Sequence, residues 1–276
     1  MSKTISKLYS SNISLICVND ILYIYYIKKN INNIKIMFYI IPILYYSLSS
    51  LFKSINIFPS TTYIGDGNEY ISYMLVSLGC ISYITYTSFV ALINNEPNKI
   101  ENNRIYGYNE YIEKNILYPM IHFQFWNLSI CLVKKEFRQI EMISHHFMAL
   151  LISLLCIYPH SYLQYYVPYF YMVEITSIFL TFIDIYKIYP QLLDKFYYTK
   201  IVVVSCFIIT FFIFRILFWT YYNMKMINDV LNLAEYKSNI VVAVTLPVNL
   251  FMTFLQYYWQ IKIFKKIKSF IFYNKK

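Results

Sequence analysis

Apolar residues in this chain come in blocks far longer than the short runs that build a water-soluble core. Seven stand out, at 36–52, 71–93, 115–133, 140–158, 161–185, 199–222 and 239–262. Each approaches the ~20 mostly apolar residues that a helix needs to cross ~30 Å of hydrocarbon. The segments between them are short and polar, such as Asn94-Asn95-Glu96 and Lys134-Lys135-Glu136. The pattern predicts an all-α, polytopic transmembrane helix bundle of about seven spans. Residues 10–27 are apolar too, but Asn19 and Asp20 interrupt them. An interfacial helix or signal anchor there makes eight spans the alternative, and no small-residue cleavage site marks a removable signal peptide.

Composition strengthens this reading. Of 276 residues, 58% are hydrophobic and 14% charged, whereas a soluble domain carries about a quarter charged residues to face water. The chain has four glycines, too few for a phosphate-cradling loop, and Gly65-Asp66-Gly67 reads as a turn. No bound cofactor is expected. The net charge of +10 does not point to nucleic acid, because the basic residues flank apolar blocks: Lys134 and Lys135, then Lys262, Lys265, Lys266 and Lys268. Such flanks mark the cytosolic side of a membrane protein. The Lys134–Arg138 loop, the 186–200 loop and the C-terminal tail therefore share the cytosolic face, with the acidic 94–114 loop opposite. Lys28, Lys29 and Lys35 run against this rule. The chain divides into an N-terminal segment (1–35), a first span (36–52), a loop (53–70), a six-span unit (71–265) and a basic cytosolic tail (266–276). All five cysteines lie in apolar stretches without metal-ligand spacing, as inert buried thiols do.

The informative positions are polar residues inside apolar blocks. A central charge costs ~2.5–3.5 kcal/mol on insertion scales, against ~0.3–0.6 gained per Leu, Ile, Phe or Val. Such groups should face the bundle interior and find partners. Helical spacing sorts them into stripes. The fourth block offers His146, Ala149, Ser153 and Cys156, with His145 about 100° away, so the two imidazoles cannot point at one spot. The fifth offers Glu174, Ser177, Thr181 and Asp184. His122, Trp126 and Ser129 share a face in the third, Arg215 sits in the sixth, and Asn249, Thr253, Gln256 and Gln260 line the seventh. Together they predict a polar cavity. Two bland readings stand beside it. Ser, Thr, Asn and Gln stripes also bond helices together, and Arg215 has a structural ion pair with Glu174 open to it. The adjacent histidines are costlier to bury and suit proton transfer near neutral pH. Their i, i+1 spacing does not match a zinc-binding helix, so no metal is assigned, although His122 or Glu174 would be the candidate third ligand.

Four strings occur in an order that resembles the TLC domain, the superfamily of ceramide synthases and translocon-associated membrane proteins. They are Ile143-Ser144-His145-His146, Met172-Val173-Glu174-Ile175-Thr176-Ser177, Phe214-Arg215-Ile216 and Leu255-Gln256-Tyr257-Tyr258-Trp259. The resemblance covers roughly residues 70–265. It implies six spans with a cytosolic C-terminus, residence in the endoplasmic reticulum, a role in lipid metabolism and membrane lipids as partners. As in ceramide synthases, it implies acyl transfer from acyl-CoA, as co-substrate, to a long-chain sphingoid-type amine. His145 or His146 would then accept the acyl group or the proton, and Glu174 would orient or balance them. His122, Ser177, Thr181, Asp184, Arg215 and Gln256 would line the cavity. A homo-oligomer is open. Where ceramide synthases carry a His-Asp pair and a second Asp in the fifth block, this chain has Val173-Glu174 and Ser177. The Glu-Ile-Thr-Ser string is closer to the non-synthase branch, whose members are linked to lipid composition and trafficking. Non-catalytic lipid sensing or cargo handling is therefore the alternative function.

Overall fold

A bilayer offers the backbone no hydrogen-bond partners, so an apolar block can cross it only by closing its bonds within a helix. The computed structural model describes residues 39–55, 58, 66–100, 104–157, 162–189, 196–233 and 239–273. No strand occurs among them beyond one isolated bridge between Tyr106 and Tyr162. The N-terminal segment 1–35, with its 10–27 stretch, lies outside the described residues.

Seven helices fall on the seven apolar blocks. Helix α1 covers residues 39–55, and α2 is Gly67–Ile93. The predicted turn at Asp66 is the N-cap of α2, its carboxylate accepting from the amides of Asn68 and Glu69, the usual role of Asp there. Helix α3 runs from Glu110–Ile112 through a π turn, Glu113–Leu117, into Tyr118–Val133. Pro119 follows that turn, and its missing N–H breaks the regular ladder. Helix α4 is Ile140–Leu155. Helix α5 joins Val167–Tyr171, a 3₁₀ turn at Met172–Glu174, and Ile175–Ile188. Helix α6 joins Tyr197–Thr210, a π turn at Phe211–Phe218, and Trp219–Leu233. Helix α7 is Asn239–Tyr273, so the helix continues well into the segment read as a tail. By length and composition α2, α3, α5 and α6 are able to cross a membrane, and α4 is apolar but only 16 residues long.

Packing closes six of these helices into a ring in the order α2, α3, α4, α7, α6, α5 and back to α2. Helix α1 lies against its outside, where Tyr45 meets Trp126 of α3 edge-on at 5.8 Å. Part of the ring interior is filled. Ala149 of α4, Val173 of α5, Trp219 of α6, and Val248, Met252 and Leu255 of α7 form one buried cluster.

Two polar ends flank the ring. At one, Lys53 pairs with Asp66 and Glu69, Lys134 with Glu69 at 2.5 Å, and Lys262 with Glu141. At the other, Gln164 accepts from the Asn109 amide at 2.7 Å and donates to the Cys156 carbonyl at 3.0 Å. Asp229 there takes Arg104 at 3.3 Å and the Tyr166 hydroxyl. The basic loop at 134–138 and the carboxylates of Glu110 and Glu113 lie at opposite ends of α3.

Candidate functional site

The site grows from residues on five helices that no stretch of sequence places side by side. His145 and His146 lie in the second turn of α4, both more than nine-tenths buried. Their rings are 5.4 Å apart at 61°, and they point to different neighbours, as the 100° step requires. His146 turns to α3, where its Nδ1 is 2.6 Å from Gln124 Oε1. His145 turns to α7, its ring edge-on to Trp259 at 5.4 Å. Among the described residues, neither His145 Nδ1 nor His146 Nε2 has a hydrogen-bond partner, and both atoms are buried.

Trp259 leads on to a cation. Its ring lies 5.7 Å from the Arg215 guanidinium, with Phe211 at 5.9 Å on the same group. Arg215 sits in the π turn of α6, a feature common at functional sites. Its donors fan out across two helices: Nε to Thr176 Oγ1 at 2.5 Å, Nη2 to Ser177 Oγ at 2.8 Å and to Glu174 Oε2 at 3.3 Å, and Nη1 to Gln256 Oε1 at 3.1 Å. Ser177 also donates to Glu174 Oε2 at 2.6 Å. An Arg fork suits this task because its planar donors diverge in fixed directions. One carboxylate and one guanidinium cancel, so the network carries no net charge into a low-dielectric interior, where a lone charge would be costly.

A family model for the TLC domain matches residues 69–265. The chain belongs to the TLC-domain family. It is therefore a membrane protein of a lipid-associated family, in contact with membrane lipids. No curated protein and no solved structure matches the chain.

Within this TLC domain the structure brings together His145, His146, Glu174, Ser177, Arg215 and Gln256, joined through Gln124, Trp259 and Thr176. Glu174 meets neither imidazole by a hydrogen bond; its partners are Arg215 and Ser177. The structural ion pair is thus formed, and the orienting contact to His146 comes from Gln124 instead. Thr181 returns its hydroxyl to the Ser177 carbonyl at 2.9 Å, within its own helix. Asp184 lies ten residues beyond Glu174, ~15 Å along the helix at 1.5 Å per residue, toward Tyr70 and Lys187. His122 stands on another face of α3. Its Nδ1 approaches the Tyr118 carbonyl, and Trp126 one turn on stacks against Tyr73 of α2. Ser129, read as sharing that face, is exposed and bonds back to Phe125. Among the described residues no three His, Cys, Asp or Glu side chains gather as a metal site would require.

Sequence reasoning missed Gln124, Thr176 and Trp259 as members of the site. A signal for Gln124 existed: Gln124, Asn127 and Cys131 repeat at i, i+3 and i+7, and all three are buried. The α4 stripe is a single buried face: His146, Ala149, Ser153 and Cys156 are all in the interior, and Ser153 meets the Tyr171 hydroxyl of α5 at 2.5 Å. The α7 stripe is divided. Gln256 serves Arg215, whereas Thr253 accepts from Trp219 Nε1 at 3.0 Å and Asn223 Nδ2 at 2.6 Å, bonding α6 to α7.

Proposed function

We propose that this protein acts in membrane lipid metabolism, in the endoplasmic reticulum, by transferring an acyl group from acyl-CoA to a long-chain amine at the His145–His146 pair. The observation that carries this reading is the pair of buried imidazole nitrogens, His145 Nδ1 and His146 Nε2, left without a partner among the described residues. Leaving a polar atom buried and unpaired costs ~1–3 kcal/mol. Other buried side-chain atoms, Ser88 Oγ and Asn127 Oδ1 among them, share that state. The two nitrogens are set apart by belonging to adjacent imidazoles able to accept an acyl group or a proton. A neutral imidazole is a competent nucleophile toward a thioester. In such a reaction a ring nitrogen forms a bond to the acyl carbon while the carbon–sulfur bond breaks, and the N–H proton of the ring passes to the departing sulfur so that CoA leaves as its thiol. The amine nitrogen then bonds to the acyl carbon, the acyl–imidazole bond breaks, and the amine proton passes to a ring nitrogen. The Arg215–Glu174 network would hold α5, α6 and α7 around the pair, and a water-poor interior would spare the acyl-imidazole from hydrolysis.

A second reading, non-catalytic lipid sensing or cargo handling, draws support from Glu174. Its carboxylate is occupied by Arg215 and Ser177 and orients no imidazole, and Val173 and Ser177 stand where ceramide synthases carry His and Asp. Membranes containing the chain, supplied with labelled acyl-CoA and a panel of long-chain amines, decide between them. N-acyl product that vanishes in a His145→Ala/His146→Ala double variant of equal expression supports transfer. No product across the panel from folded, inserted protein favours sensing or trafficking.

A further inference from the structure

Gln124 does more than fill the α3–α4 interface: its amide is oriented from both sides. On one side Gln124 Nε2 lies 3.1 Å from Met120 Sδ. A thioether has no proton to give and can only accept, so the NH₂ group belongs there. The carbonyl oxygen is thereby turned toward His146, 2.6 Å from Nδ1. An oxygen acceptor at that distance requires a donor, which places the imidazole proton on Nδ1. The other ring nitrogen, Nε2, is buried with no partner among the described residues. With the proton on Nδ1 that atom carries a lone pair; with the amide reversed it would be an N–H buried without an acceptor, the rarer and costlier outcome. The thioether and the environment of Nε2 agree on one arrangement.

We infer that Gln124 is a positioning residue that fixes His146 as its Nδ1–H tautomer and so presents Nε2 as the proton acceptor of the site. His145 has no equivalent partner. Its Nδ1 is unpaired among the described residues, and its ring meets Trp259 through an edge contact, which orders the ring plane without assigning a proton. The two histidines therefore differ in kind. His146 is held in one protonation pattern by a neighbouring helix, and its Nε2 is the atom that takes the amine proton as the new C–N bond forms. A hydrogen bond from a neighbouring group to one ring nitrogen sets histidine tautomers in this way at other sites, and a wrong tautomer disables an otherwise intact base.

This inference rests on the acyl-transfer reading for its chemistry but not for its test. The chain has four histidines, so ¹⁵N-histidine labelling of the full-length protein in nanodiscs gives few signals, and loss of one set in His146→Asn assigns that residue. In the wild type the Nδ1 signal of His146 should be of the protonated type and Nε2 of the unprotonated type. Gln124→Leu should lose this pattern, and Gln124→Glu, which keeps an acceptor at the same place, should retain it. Where acyl transfer is measurable, Gln124→Leu should lower kcat roughly tenfold with KM nearly unchanged. A wild-type His146 that carries its proton on Nε2, or a pattern indifferent to Gln124→Leu in folded protein, overturns the inference. The expected tautomer without any transfer activity would uphold the role of Gln124 and remove the enzymatic reading; transfer with the opposite tautomer would do the reverse.

Discussion

Arg215 joins α6 to both α5 and α7 through a single side chain. Replacing it with Met keeps a long apolar side chain but removes every donor. Three neutral partners, Thr176, Ser177 and Gln256, lose their bonds. At the roughly 0.6 kcal/mol that such bonds average within a bilayer, they come to roughly 2 kcal/mol. The larger effect falls on Glu174, whose side chain is 13% exposed against 6% for Arg215. Breaking one side of a buried pair costs about 3–5 kcal/mol, because the remaining charge has no counterpart. The two contributions overlap, and the expected loss for Arg215→Met is roughly 4–5 kcal/mol. Adding Glu174→Gln removes the stranded charge while Ser177 keeps an acceptor, so the double variant should recover about half of that. A double-mutant cycle of unfolding free energies in mixed micelles should therefore give a coupling of at least ~2 kcal/mol. Additive losses, or an Arg215→Met cost below ~1 kcal/mol, would refute the picture of a desolvated, mutually dependent pair.

Other expectations test other parts of the structure. His122→Ala should leave acyl transfer within about threefold of wild type, because His122 lies on the α2 side of α3, whereas the His145→Ala/His146→Ala pair should lose about 100-fold or more. Gln164→Leu should destabilise the fold by about 2–4 kcal/mol in the same micelle unfolding assay, since the Asn109 amide and the Cys156 carbonyl both lose their partner. Burial pushes the Asp66 carboxyl up, but Lys53 and the amides of Glu69 and Asn68 outweigh it and hold the group below the usual carboxylate range. A depressed folded value means that its contribution is present above the unfolded pKa and is lost as pH falls through the folded one. Resistance to thermal unfolding should thus fall below about pH 4, and Asp66→Asn should be less stable at neutral pH while losing that part of the pH dependence.

Much of the fold was legible because membrane helices are specified locally. An apolar block must close its own backbone bonds, so the seven blocks in the sequence correspond to the seven helices, although α2 begins at Gly67, ahead of the block at 71–93. Periodicity within one helix was also readable. The stripe His146, Ala149, Ser153 and Cys156 is buried throughout, and the divergence of His145 from His146 follows from the helical step alone. The pattern reaches less far in α3, where spacing puts His122, Trp126 and Ser129 on one face but Ser129 is exposed.

What the sequence by itself determined, then, is the class of fold, the helices and the angular position of each polar group about its own axis. The tertiary structure alone decided the ring order of the helices and which stripes meet. Arg215 reaches Glu174 and Gln256 across 41 residues in each direction, and His146 takes Gln124 rather than Glu174. Glu174, Thr181 and Asp184 share a spacing yet have three different fates: an ion pair, a bond within the helix, and a place near the other end of α5. The physical reason is that helical periodicity fixes an angle within one rod, while a hydrogen bond depends on the rotation and height of two rods relative to each other. Those are set by how the large side chains between them pack.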